Sequence, residues 1–125
     1  MTTDGETYPT IEHAFQAAKT LNLEDRRRIR MESTPGPTKR LGRRSTLRPD
    51  WEKIKGGVML ELVRQEFTTH PDLATRLLAT GHAEIIETNH WGDTIWGVCD
   101  GIGENKLGEI LMQVRSELRV LVEES

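Results

Sequence analysis

The stretch Gly81-His82-Ala83-Glu84-Ile85-Ile86-Glu87-Thr88-Asn89-His90-Trp91-Gly92-Asp93-Thr94-Ile95-Trp96-Gly97-Val98-Cys99-Asp100-Gly101-Ile102-Gly103-Glu104-Asn105 decides the fold class. On either side of it apolar residues recur at helical spacing, and within it they do not. Residues 83–88 and 94–99 read as β-like runs joined by the polar loop 89–93, and residues 100–104 form a glycine-rich turn. Downstream, Asn105 is expected to cap a last helix with Leu107, Ile110, Leu111, Val114, Leu118 and Leu121 turned inward. Upstream, residues 72–80 read as a helix stopped by Gly81 in a left-handed conformation.

Further upstream the helical signals continue. Asp50 is expected to cap a long helix over 51–69 that must stop before Pro71, with Trp51, Ile54, Val58, Leu62 and Phe67 on its core face. Gly56-Gly57 weakens that helix by roughly 1 kcal/mol per glycine relative to alanine. Thr34-Pro35 starts a helix ending near Gly42, and Asn22 with Asp25 starts one ending near Met31. Thr10 caps the first helix, whose apolar face is Ile11, Ala14, Phe15 and Ala18. The expectation is an α+β fold: one predominantly helical domain over residues 1–125 with a small β-sheet.

Composition narrows the function classes. With 125 residues the chain suits one compact domain. No run of about 18 apolar residues is present, which excludes a membrane span, and the N-terminus lacks the charged and apolar regions of a signal peptide. A lone cysteine, Cys99, excludes an internal disulfide and fits a reducing compartment, so the cytoplasm is expected. The net charge is −3, but residues 26–48 hold nine basic side chains (among them Lys39, Arg40, Arg43 and Arg48) against one acid, Glu32. That segment carries +8 and the remainder −11. Such a distribution suggests a local anion site rather than a general nucleic-acid surface, and no aromatic residues interleave with the basic ones. The competing reading is that these arginines solubilise helices and pair with the acidic remainder.

Other chemistry-bearing residues also carry two readings. Glu12, Gln16 and Lys19 share one face of the first helix, and Glu12 sits in the first turn, where the helix dipole favours a negative side chain. They are either a solvated face or part of a site. Trp51, Trp91 and Trp96 are three of six aromatic residues, suited to stacking on a flat heterocycle or to core packing. The four histidines and Cys99 show no zinc spacing, and no nucleophile elbow, phosphate loop or dinucleotide fingerprint occurs.

Four segments together resemble one family. Tyr8-Pro9-Thr10-Ile11-Glu12-His13-Ala14-Phe15-Gln16-Ala17-Ala18-Lys19 is similar to its opening YPTxEHAxQAxK motif. Lys39-Arg40-Leu41-Gly42-Arg43 followed by Leu47-Arg48-Pro49-Asp50-Trp51 resembles its KRLGR…LRPDW segment, and Asp93-Thr94-Ile95-Trp96-Gly97 its DxxWG motif. Gly103-Glu104-Asn105-Lys106-Leu107-Gly108, with Leu111-Met112 and Arg115, resembles its closing GxNxLGxxLMxxR. The chain is thereby identified as a member of the NADAR superfamily, which includes the YbiA-like N-glycosidases of riboflavin-biosynthesis intermediates. The resemblance runs in order from Tyr8 to about Arg119. Members usually open with a further strand bearing a FLSNF-like motif; seven residues precede Tyr8 here, so a chain lacking that strand is expected.

The resemblance implies hydrolysis of a bond between ribose C1′ and a base nitrogen. Known members act on phosphorylated early riboflavin intermediates, and others remove ADP-ribose from modified nucleobases. Glu12, Trp51 and Trp96 fall on positions used at the family's active site, and Asp93 is a weaker carry-over. Breaking the C1′–N bond builds an oxocarbenium ion, which a carboxylate stabilises. Glu12 is expected in that role, with Asp93 or a water supplying a proton. Trp51 and Trp96 are expected to line one pocket and sandwich the base, with Trp91 peripheral, and Arg40, Arg43 and Arg48 to take the 5′-phosphate. Gln16, Lys19 and Asn105 complete the expected substrate-binding set. No metal and no cofactor is expected. The rival readings are an ADP-ribosyl hydrolase, for which nucleic acid is a partner only as a modified-base substrate, and a non-catalytic module that holds ADP-ribose-like ligands.

Overall fold

The computed structural model describes residues 1–124, the side chains of Pro35 and Arg44 excepted. The fold is mostly helical, with two small two-stranded sheets. By its internal contacts the chain divides into two compact units, Met1–Glu66 and Phe67–Ser125. No helix among the described residues is long and apolar enough to cross a membrane.

The first unit opens with a hairpin that the sequence reading left without an element. Strand β1 (Thr2–Thr3) pairs antiparallel with β2 (Glu6–Thr7). Asp4 and Gly5 join them with φ of +50° and +78°. Two successive left-handed residues define the hairpin turn that Asp-Gly favours, because its twist matches that of the strands. The Met1 ammonium donates to the Tyr8 carbonyl and the Tyr8 amide donates back to Met1, extending the ladder by one pair.

Helix α1 (Ile11–Ala18) is the centre of this unit, touched by β1, by α2 (Leu23–Met31) and by α3 (Pro35–Arg44). Its Ala14, Ala17 and Ala18 are fully buried, and such small side chains let neighbouring backbones approach closely. Thr10 caps α1 as expected, its hydroxyl oxygen accepting from the His13 amide, and Asn22 caps α2 by accepting from Asp25. α3 starts on Pro35, where the missing N–H is no loss. His13 is buried and ties the helices together. Its Nε2 lies 2.6 Å from the Glu32 carbonyl at the end of α2, and its Nδ1 lies 2.7 Å from the Thr10 hydroxyl. A carbonyl only accepts, so Nε2 carries the hydrogen.

Helix α4 (Trp51–Thr69) is unbroken through Gly56-Gly57. Trp51 and Leu62 are buried as expected and Val63 joins them, whereas Ile54, Val58 and Phe67 are only half-buried.

In the second unit α5 (Pro71–Ala79) packs on α6 (Lys106–Glu124), and Gly81 stops α5 at φ +65°. Here the strand expectation needs correction. β3 (Thr88–Asn89) and β4 (Val98–Cys99) have two residues each and run parallel. Residues 94–97 of the second expected strand have other partners. The carbonyls of Thr94, Ile95, Trp96 and Gly97 accept the amides of Glu104, Lys106, Leu107 and Asn105. Those donors stand at the start of α6, where no intrahelical acceptor exists, so segment 94–97 caps the helix instead of joining a sheet.

Asn105 is likewise not a side-chain cap. Its amide group accepts from the Glu87 N–H and donates to the Ile85 carbonyl, from a backbone at φ +55°. Leu121, expected to face inward, is 62% exposed.

Candidate functional site

Helical geometry brings Glu12, Gln16 and Lys19 onto the side of α1 that meets α3. Glu12 and Lys19 are half-buried and Gln16 is buried. The Gln16 Nε2 donates to Glu12 Oε1 at 2.7 Å. Lys19 Nζ stands 5.6 Å from the centre of the Phe15 ring, close enough for a cation–π contact. Burial lowers the Lys19 pKa from its ordinary value; Arg43 and Lys39 lower it further, while Glu12 opposes them. Glu12, Lys19 and two cations of α3 therefore feel one another's charge.

Phe15 also meets Trp51, with ring centroids 5.1 Å apart at 61°, an edge-to-face contact. Trp51 is 5% exposed, which builds its indole into the packing of α1. Neither Phe15 nor Gly42 was singled out as a site residue from sequence. Gly42 matters because a Cβ there would collide with Gln16 Oε1. A glycine inside an otherwise basic helical run was the available signal for such a close approach.

The basic segment resolves into two populations. Arg26 is buried, donating from Nε to the Thr20 carbonyl and pairing with Asp4 at 2.8 Å. Arg30 pairs with Glu6, and Arg27 and Arg28 pair with Glu24. Arg48 pairs with Asp50 at 2.7 Å and with Asp4 at 3.4 Å. The Asp50 hydrogen bond raises the Arg48 pKa, and the same bond lowers that of Asp50. Arg48 is thus bound into the scaffold. Lys39, Arg40 and Arg43 are exposed on α3 and make no ion pair among the described residues. At i, i+1 and i+4 they cluster on one side of the helix.

A groove of about 580 Å³ lies elsewhere in this unit, between β1 and α4, with Thr3, Ile54, Val58 and Leu62 in its walls. None of the expected site residues lines it, so cavity size and chemistry point to different places. The α1–α3 face sets the Glu12 carboxylate near the exposed cations of α3, whereas the charged residues of the groove are Asp4, Lys53 and Glu61.

In the second unit, Asp93 Oδ1 accepts from the amides of Ile95 and Trp96 at 3.1 and 2.9 Å. Buried Asn89, which sequence reading passed over, accepts from the amides of Trp91 and Asp93 and donates to the Asp93 carbonyl. Asp93 and Asn89 together fold the 89–96 loop. Trp96 is half-buried and Trp91 is 75% exposed. A Cβ at Gly97 would collide with the Glu87 carbonyl, and one at Gly108 with the Ile85 carbonyl. Among the described residues no group of three or more His, Cys, Asp or Glu side chains is arranged to hold a metal ion.

The chain is 41% identical over 120 residues to N-glycosidase YbiA of Escherichia coli strain K12, covering 94% of this chain and 74% of that protein. It is 40% identical over 121 residues to an N-glycosidase of Nostoc punctiforme, covering 92% of this chain and 77% of that one. It is 38% identical over 122 residues to a riboflavin biosynthesis protein of Vibrio vulnificus, of which it spans 33%. The NMR structure of E. coli YbiA superposes with a TM-score of 0.89 over 98% of this chain and 74% of that chain, at 40% identity. The model of the NADAR domain matches residues 1–119, through both units and all four motifs, and the chain belongs to the NADAR domain family.

Proposed function

We propose that the chain is an N-glycosidase that hydrolyses the ribose C1′–N bond of a phosphorylated ribosylaminopyrimidine. The observation that carries this reading is the Glu12 carboxylate, held by an amide donor on the side of α1 that meets α3, where exposed Lys39, Arg40 and Arg43 have no carboxylate partner among the described residues. The names of its relatives, two N-glycosidases and a riboflavin biosynthesis protein, support both the bond and the substrate class.

In this reaction the C1′–N bond breaks and its electron pair leaves on the base nitrogen. The ribose ring becomes positively charged, and Glu12 stabilises that charge. Water adds its oxygen to C1′ and gives up one proton to Glu12; the base nitrogen takes a proton from solvent water and Glu12 returns its own to solvent, so one water is divided between the ribose hydroxyl and the base N–H. Arg40 and Arg43, with Lys19 beside them, take the phosphate, for which the guanidinium fork is suited. On the family resemblance alone, the base is assigned to Trp96. Asp93 and Asn105 hold the turns on either side of Trp96, and Arg48 is tied to Asp4 and Asp50 within the first unit. The unbroken family match supports reading the whole chain as one NADAR domain. The lone Cys99 supports a reducing, cytoplasmic setting.

Purified protein is incubated with a phosphorylated ribosylaminopyrimidine and, in a second arm, with ADP-ribosylated guanosine. Release of free pyrimidine and ribose phosphate is expected in the first arm. Glu12→Gln should slow it by about 10²–10⁴-fold. Release only in the second arm moves the substrate to ADP-ribosyl nucleobases. Turnover by Glu12→Gln within a few-fold of the unmodified protein removes Glu12 from the reaction.

A further inference from the structure

Gln16 is a buried amide with one satisfied end and one unsatisfied end. It is 6% exposed. Its Nε2 donates to Glu12 Oε1 at 2.7 Å, one helical turn away. Its Oε1 is buried and has no hydrogen-bond partner among the described residues. That oxygen occupies the space a side chain at position 42 would need. A Cβ on Gly42 would collide with Oε1 and stand 2.9 Å from Gln16 Cδ and 3.1 Å from Gln16 Cβ. A buried acceptor without a donor costs folding free energy and calls for an explanation. Turning the amide over would set Oε1 against the Glu12 carboxylate, acceptor facing acceptor, so Glu12 fixes its orientation.

We infer that Gln16 is a positioning residue for Glu12 and that Gly42 is its seat. A glutamate side chain has three rotatable bonds, and a carboxylate that must meet a developing positive charge loses rate when misplaced by about 1 Å. The Gln16 N–H holds one carboxylate oxygen. The other, Oε2, makes no hydrogen bond among the described residues and is left for the reacting atoms. α3 presses on the far side of the amide, so the close α1–α3 approach that Gly42 permits is transmitted to the carboxylate. The inference rests on the role of Glu12 proposed above.

Gln16→Leu keeps the bulk and deletes the donor. On a phosphorylated ribosylaminopyrimidine it should lower kcat roughly 10- to 100-fold, with KM changed less than about 3-fold. The melting temperature should be preserved. Added to Glu12→Gln, the same substitution should change kcat no further, because the residue acts through that carboxylate. Gly42→Ala should reproduce the kcat loss; should it fail to fold, Gln16→Leu decides alone.

A measurement independent of turnover accompanies these. By ¹⁵N NMR the Gln16 side-chain amide protons should exchange more slowly than those of exposed Gln113, and Glu12→Ala should remove that protection. If Glu12→Gln is inactive while Gln16→Leu keeps full kcat, the positioning role is overturned and the proposed function stands. Unprotected Gln16 amide protons overturn it as well. If Glu12→Gln is active, the role of Glu12 in the proposed reaction falls, and the positioning role of Gln16 with it, whatever the exchange shows.

Discussion

Trp51 and Lys19 sit against the same Phe15 ring and answer to opposite demands. Trp51, 5% exposed and edge-on to Phe15, has its ring committed to packing. Trp51→Ala should cost about 3–5 kcal/mol of stability, read by chemical denaturation. Half-buried Trp96 should behave differently, losing roughly 5- to 150-fold in affinity for a phosphorylated ribosylaminopyrimidine when cut to alanine. A small stability loss with weakened binding at Trp51 would reverse that assignment. Lys19 carries a charge that its surroundings oppose. Its folded pKa lies below its unfolded one, so the penalty is constant at neutral pH and lifts only as pH rises through the folded pKa into the alkaline range. Lys19→Met keeps the aliphatic stem over Phe15 and removes the charge. It should raise stability at pH 7 slightly, because the burial penalty on the ammonium is removed, while weakening phosphate binding. A lower melting temperature would show that the charge is better compensated than this geometry indicates. The 12/16/19 stripe was legible because helical spacing places those residues together. Phe15, Gly42 and Asn89 were not legible as site-shaping residues, because what they do depends on atoms far away in sequence.

At the scale of elements, legibility followed the range of the interactions. Thr10, Asn22, Pro35, Pro71 and Gly81 start or stop helices through capping bonds and backbone preferences within a turn, and α1, α2, α3 and α5 stand close to where those residues put them. The Asp4-Gly5 turn was equally local, but strands of two residues leave no alternation to read. Segment 83–99 misled because its β-rich composition says nothing about which donors its carbonyls will meet; those of 94–97 meet the start of α6. That capping depends on close backbone contact around Gly103. Its φ is +154°, and a Cβ there would collide with the Gly97 carbonyl, whereas Gly101 at φ +80° has open space around it. Gly101→Ala should cost about 1 kcal/mol from backbone strain alone, and Gly103→Ala clearly more. Equal melting temperatures for the two variants would mean that the Gly97–Gly103 contact does not hold α6.

Over the whole molecule, the sign and placement of charge decide which anions can bind. The chain is net negative, and the basic segment's +8 is set against −11 elsewhere. Of its nine cations, Arg26, Arg27, Arg28, Arg30 and Arg48 have carboxylate partners within 4 Å. A polyanion laid along this surface would meet the acidic side chains as well as the cations and release few counterions. A single phosphate set on α3 would meet Lys39, Arg40 and Arg43 without displacing an ion pair. The expected outcome is measurable binding of ribose 5-phosphate, weakened by Arg40→Ala and by Arg43→Ala and little changed by Arg27→Ala, whose guanidinium is paired with Glu24. Random duplex DNA at physiological salt should bind no more tightly than the ~10⁻⁴–10⁻⁶ M of non-specific association. Because few charges take part, affinity for the small phosphate should fall only gently with added salt, whereas a polymer-binding surface would show a steep log–log slope. Nanomolar binding to random DNA, or equal losses from Arg27→Ala and Arg43→Ala, would mean that the ion pairs open and the whole basic segment acts as one surface.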